Sequence, residues 1–201
     1  GMNRVNDRMI GELALGFTLL TPRARYYAFY VWIIDQIRKK KLAKSYPQFR
    51  STFYDIERLF MLACVSHEEI EPDKNHNDIN GANTGRRIWS EGLETISLNF
   101  TYFGHRLGGY GQYYEGSLVN LGLIEQGEED EFERPTELGK KIIKPFERLA
   151  NDSKILSYLG KRKIPRNAVQ EIGKKICLCK LTEQEDSEKK SLQDLFFGYS
   201  G

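Results

Sequence analysis

At 201 residues, with 40% hydrophobic and 29% charged side chains, the chain is long enough for a packed core and too apolar to remain unfolded in water. Its three cysteines are too few for a disulfide framework, which points to a reducing, cytoplasmic setting. No apolar run reaches the roughly 20 residues of a membrane span, and Arg4, Asp7 and Arg8 lead into no cleavable secretory segment, so no membrane contact is expected.

The net charge is only +2, but it is unevenly spread. Residues 21–50 carry eight Lys/Arg against the single acid Asp35, and residues 138–180 carry twelve against three. Between them, residues 125–137 hold seven acids against Arg134. Two basic regions therefore flank an acidic one, and such asymmetry bears on partners more than the net value does.

In chain order, Thr21-Pro22 has the form of a helix start, with Thr as N-cap and Pro at the first helical position, where a missing N–H costs nothing. The predicted helix runs to about Lys41 and ends on Arg38-Lys39-Lys40-Lys41, charges suited to a helix C-terminus. Its middle is apolar on every face, so other helices should surround it. The aromatic residues from Tyr26 to Trp32 are expected to form core, with Arg23 and Arg25 pairing carboxylates at the helix start, and not to clamp nucleic acid. Ser45-Tyr46-Pro47 opens a second helix with a stripe of Phe49, Phe53, Ile56, Leu59, Phe60 and Ala63, giving an antiparallel hairpin. Cys64 reads as a small core residue.

Residues 67–85 are polar and Asn-rich and are expected to form a solvated, mobile loop. Asp73-x-Asn75-x-Asn77 has the opening of a calcium loop, but Asp78 stands where glycine is required and Thr84 where glutamate is. Helix resumes near Thr84 or Arg86 and is predicted to carry Ile88, Trp89, Leu93, Ile96, Leu98 and Phe100 toward His105. Gly104, Gly108, Gly109 and Gly111 then make a turn. His67 and His76 fit no paired-histidine motif, and Cys177-x-Cys179 has neither a second cysteine pair nor a nearby histidine in sequence, so no metal site and no cofactor are expected. Pro165 opens a later helix with Val169, Ile172, Ile176 and Cys179 inward, and 192–197 form a last short one. The aromatics of 195–199 are expected to dock onto the body or to belong to a longer chain.

The centre carries a more specific pattern. A short helix from Tyr110 ends in Leu118-x-x-Leu121-Gly122-Leu123-Ile124, with Gly122 as a left-handed terminator. Gly127 and its acidic neighbours turn a hairpin, and Thr136-Glu137-Leu138-Gly139 caps a helix whose buried face is Leu138, Ile142, Ile143, Phe146 and Leu149. From Ile96 to Leu149, about a quarter of the chain, this resembles the winged-helix superfamily of recognition helix, hairpin wing and following helix.

The helical patterns and the central resemblance together predict a mainly α protein: a helical N-terminal half (2–83), a winged-helix-like module with a small β-hairpin (84–150), and a C-terminal helical extension (151–201). The resemblance also implies a non-enzymatic function in binding double-stranded DNA, in prokaryotic transcription regulation or defence. The candidate contacts are His105, Arg106, Gln112, Asn120, Lys140, Lys141, Lys144, Lys161, Arg162 and Lys163. Two departures shift the expected docking mode. The recognition helix lacks a basic residue, and the wing Glu128-Glu129-Asp130-Glu131 would repel phosphate, so contact is expected from the lysine-bearing helices instead. The alternatives are a protein-binding adaptor using Tyr110, Tyr113 and Tyr114 as contact residues, a homodimer paired through the first-half helices, or a non-catalytic part of a longer enzyme.

Overall fold

The computed structural model describes residues 24–104, 107–127, 131–182 and 187–198. The expected helix start at Thr21-Pro22, the hairpin tip Glu128-Glu129-Asp130, and His105 and Arg106 lie outside them. Among the described residues the fold is mainly α, with seven α-helices and two antiparallel two-stranded sheets.

Helix α1 (Arg25–Lys39) is the axis of the molecule, as its all-round apolar sequence predicts. Every residue from Arg25 to Ile37 is buried. Ala24 ahead of it already has helical dihedrals (φ −56°, ψ −35°). Aromatic rings fill the space around α1: Phe29 stacks on Phe60 at 3.9 Å, and Tyr30 lies 4.9 Å from Tyr114. Such contacts contribute about 0.5–1.5 kcal/mol each beyond the area they bury.

Helix α2 (Tyr46–Glu68) follows after a short loop, with Pro47 in its first turn where no intrahelical N–H is needed. It packs most extensively on α6 (Arg166–Ile176), a partner distant in sequence. The close approach depends on Gly173. A Cβ there would lie 2.3 Å from the Ala63 carbonyl oxygen and 3.2 Å from the His67 Cβ.

Helix α3 (Ala82–Ser90) stops well short of its expected end at His105. Gly92 takes φ +67°, which breaks the helix, and Leu93 is left 52% exposed. The β-branched pair Thr95–Ile96 forms strand β1 instead and pairs with β4 (Ile164–Pro165). Helical periodicity misassigned this stretch because a single apolar residue on a two-residue strand, Ile96, cannot be told from part of a helical stripe.

In the central region, a π-helical turn (Tyr110–Tyr114) runs into α4 (Glu115–Asn120), and Gly122 has φ +66°. Strand β2 (Ile124–Glu125) pairs antiparallel with β3 (Arg134–Pro135), and α5 (Glu137–Ser153) follows. Thr136 caps α5 by accepting the Gly139 N–H at 3.0 Å, while its hydroxyl donates to the Gly122 carbonyl at 2.6 Å. Leu138 is 43% exposed, not part of the buried face assigned to it; Gly139 lies inward in its place, against the Leu123 carbonyl. The C-terminal segment closes with a 3-10 turn (Ile155–Tyr158), a second one (Leu178–Thr182), and α7 (Ser187–Phe197). Cys179 belongs to that second turn and not to α6. One buried apolar cluster draws residues from all three sequence regions, running from Tyr26 through Leu118 and Phe146 to Leu192.

Candidate functional site

Helix α5 separates its side chains cleanly. Gly139, Ile142, Ile143, Phe146 and Ala150 face the core, and Lys140, Lys141, Lys144 and Arg148 are exposed on the other side. Lys140 also pairs with Glu137 at 2.6 Å. The basic C-terminus of α1 ends beside this face. Gln36 donates to Glu147 at 2.8 Å, and the Lys39 ammonium lies 3.7 Å from the same carboxylate. The fold therefore brings the basic end of α1 beside α5 at Glu147, and Arg38, Lys40 and Lys41 at that end are exposed.

Phe132 and the described strands of the hairpin lie back against the helices. Phe132 stacks on Phe49 at 4.9 Å, and the Arg38 guanidinium donates to the Phe132 carbonyl at 3.1 Å. The described part of the hairpin is thus fastened back onto α1 and α2. Gln112 and Asn120 are exposed, on the π-helical turn and at the end of α4. Asn120 stands two residues before Gly122, whose carbonyl holds the Thr136 cap, and so lies near the start of α5. Lys161, Arg162 and Lys163 are exposed on the turn before β4, where the Lys161 ammonium sits 4.5 Å above the Tyr158 ring. The neighbouring Arg166 is engaged elsewhere. It stacks 3.6 Å from the Trp89 ring and donates to the Trp89 carbonyl at 2.9 Å.

A second feature lies inside. Glu57 on α2 is buried and enclosed by donors. Tyr30 donates to it at 2.5 Å, Tyr102 donates to its other oxygen, and the Tyr110 backbone N–H reaches it at 3.1 Å. Asn80 in turn donates its amide to the Tyr30 oxygen at 2.9 Å, and its backbone N–H to Tyr26 at 2.8 Å. Gly108, with φ +58°, makes room for the carboxylate, since a Cβ there would lie 2.1 Å from it. Burial raises the Glu57 carboxyl to about 7, against the opposing pull of the tyrosine and backbone hydrogen bonds. This network ties the Asn-rich loop and the glycine turn to the core.

A third feature joins three separate segments. His67 ends α2, His76 sits in the Asn-rich loop, and Cys177 and Cys179 follow α6. All four are buried, and each offers a ligand atom within 4.8 Å of the other three. The Cys179 sulfur is 3.3 Å from His67 Nδ1, and the Cys177 sulfur is 3.6 Å from His76 Nδ1. On the far side of the rings, His76 Nε2 lies 3.0 Å from the Glu71 carbonyl oxygen, and His67 Nε2 lies 3.7 Å from the Glu71 carboxylate. Lys180 holds that carboxylate with hydrogen bonds of 2.7 and 2.9 Å. Both thiols are raised above their ordinary range. For Cys177, hydrogen bonding to Cys64 and burial outweigh the lowering contact with Cys179. For Cys179, the Cys177 hydrogen bond and burial outweigh His67.

No known protein family, curated protein or solved structure matches the chain.

The sequence reading that no histidine stands near Cys177-x-Cys179 fails in three dimensions, because the histidines arrive from residues about a hundred positions earlier. The Asn-rich loop is exposed at residues 72–75, 77 and 78, as a solvated loop should be, but it turns His76 and Ile79 inward. The available signal was compositional: two of only three histidines, His67 and His76, fall within residues 67–85.

Proposed function

We propose that this chain is a non-enzymatic protein of winged-helix type that binds double-stranded DNA through the outer face of α5 and the basic end of α1. The observation that carries this reading is the meeting of the basic end of α1 with α5 at Glu147, together with the exposure of Lys40 and Lys41 after α1 and of Lys141, Lys144 and Arg148 on α5. Phosphate neutralisation supplies most non-specific affinity, and it requires several cations on one accessible face. The order of helix, antiparallel hairpin and capped helix supports a winged-helix-like arrangement, whereas the docked hairpin and base-free α4 point away from docking through helix and wing. Regulation or defence in a prokaryotic cell is the setting that the resemblance implies.

The direct test is fluorescence anisotropy with a labelled mixed-sequence duplex, at low and at near-physiological salt. Binding that weakens steeply with salt, and that the double variant Lys141→Glu/Lys144→Glu loses, is expected. Absence of salt-sensitive duplex binding at low ionic strength would sink the proposal and leave the protein-adaptor reading in its place.

A further inference from the structure

We propose that His67, His76, Cys177 and Cys179 form a structural zinc site. The inference rests on the buried thiol–imidazole cluster alone and is independent of the DNA reading. In a zinc tetrahedron with bonds of about 2.0–2.1 Å to nitrogen and about 2.3 Å to sulfur, ligand atoms stand roughly 3.3–3.8 Å apart. The two measured nitrogen–sulfur separations, 3.3 and 3.6 Å, lie in that range, and no pair among the four ligands exceeds 4.8 Å. A small inward adjustment of the side chains completes the coordination sphere.

The ligand chemistry selects the metal. Two thiolates with two imidazoles in a tetrahedral arrangement suit zinc, while magnesium and calcium take oxygen ligands. Binding displaces one proton from each thiol, so two thiolates balance the dication and the buried complex is neutral. With four protein ligands the coordination sphere is filled, which makes the site structural and not catalytic.

The outer contacts are those that metal-bound histidines use. If both rings bind through Nδ1, each Nε2–H faces an acceptor on Glu71: the backbone carbonyl for His76 and the carboxylate for His67. One residue thereby orients both imidazoles, and Lys180, next to Cys179, fixes the Glu71 carboxylate. His76 also borders an open surface groove of about 420 Å³ that Glu68, Asp73 and Arg86 line. The metal would staple the end of α2, the Asn-rich loop and the segment after α6 into one unit.

The test is metal analysis of the full chain, produced in zinc-replete medium and desalted under reducing conditions. One zinc per chain is expected. Replacement by cobalt(II) should give the intense visible bands of a tetrahedral ion and a charge-transfer band from two thiolates. Cys179→Ser should lose at least tenfold in zinc affinity, and Glu71→Gln about tenfold, the usual effect of an outer-shell partner. Should Cys179→Ser fail to fold, the wild-type stoichiometry and cobalt spectrum still decide the matter. Wild-type protein with no zinc above background, a cobalt spectrum of six-coordinate type, or iron in place of zinc would each overturn the assignment.

Discussion

Arg25 and Glu188 stand 163 residues apart in the chain and meet as a buried two-point ion pair, Nε to Oε1 at 3.0 Å and Nη2 to Oε2 at 2.7 Å. Neither side chain is more than 1% exposed. The third arm of the guanidinium donates to the Cys177 carbonyl at 2.6 Å, so the same group fixes α7 and the start of the cysteine turn against α1. The planar fork explains why arginine, and not lysine, occupies this place.

Removing one partner leaves the other as a buried, uncompensated charge. Arg25→Met should therefore lower unfolding free energy by about 3–5 kcal/mol, and Arg25→Met with Glu188→Leu should recover much of that loss. Urea unfolding of the two single variants and the double variant measures the coupling. Additive losses would show that the pair does not act as a unit.

Glu57 gives the protein a pH dependence of definite sign. Its carboxyl rises from the ordinary 4.5 to about 7 on folding. Between those values the folded state holds a proton that the unfolded state has released, so stability falls as pH rises through this window. The stabilisation is complete below about pH 4.5, is lost by about pH 7, and for this group amounts to roughly 3 kcal/mol. Glu57→Gln should flatten that part of the curve. Parallel stability–pH curves for wild type and variant would refute the assignment.

Gly173 sets the distance between α6 and α2. Gly173→Ala should destabilise by about 1–3 kcal/mol, because the methyl group would meet the backbone carbonyl of Ala63 and not the flexible end of a side chain. It would also press on the His67 Cβ, so zinc retention should fall together with thermal stability. A thermal midpoint equal to that of wild type would show that the helices separate freely at this point.

What the sequence revealed follows from how local each signal is. The burial of α1, the Thr136 cap and the left-handed Gly122 depend on residues within a few positions, and each was legible. The extent of α3 was not. A two-residue strand such as Thr95–Ile96 is defined by its partner Ile164–Pro165, some seventy residues away, and carries no periodicity of its own. The thiol–imidazole cluster failed for the same reason on a larger scale, since its ligands share no motif and meet only when α6 packs on α2. The lysines of α5 were legible as an exposed face. Their union with the end of α1 depends on the Gln36–Glu147 contact, 111 residues apart in sequence.

That union makes a quantitative prediction about DNA binding, because lysines in the same surface differ in what already neutralises them. Lys39 is 54% exposed, yet its ammonium lies 2.7 Å from Asp35 and 3.7 Å from Glu147, so phosphate would have to compete with two carboxylates. Lys141 and Lys144 stand on the open face of α5. For duplex DNA the slope of log affinity against log salt is about −0.9 per phosphate neutralised. Lys141→Ala with Lys144→Ala should therefore reduce the slope by nearly two units, with a similar loss of affinity for every sequence tested. Lys39→Ala should leave the slope nearly unchanged. Equal slope changes for Lys39 and for the α5 lysines would mean that the DNA reads only overall charge, and the proposed face would have no special standing.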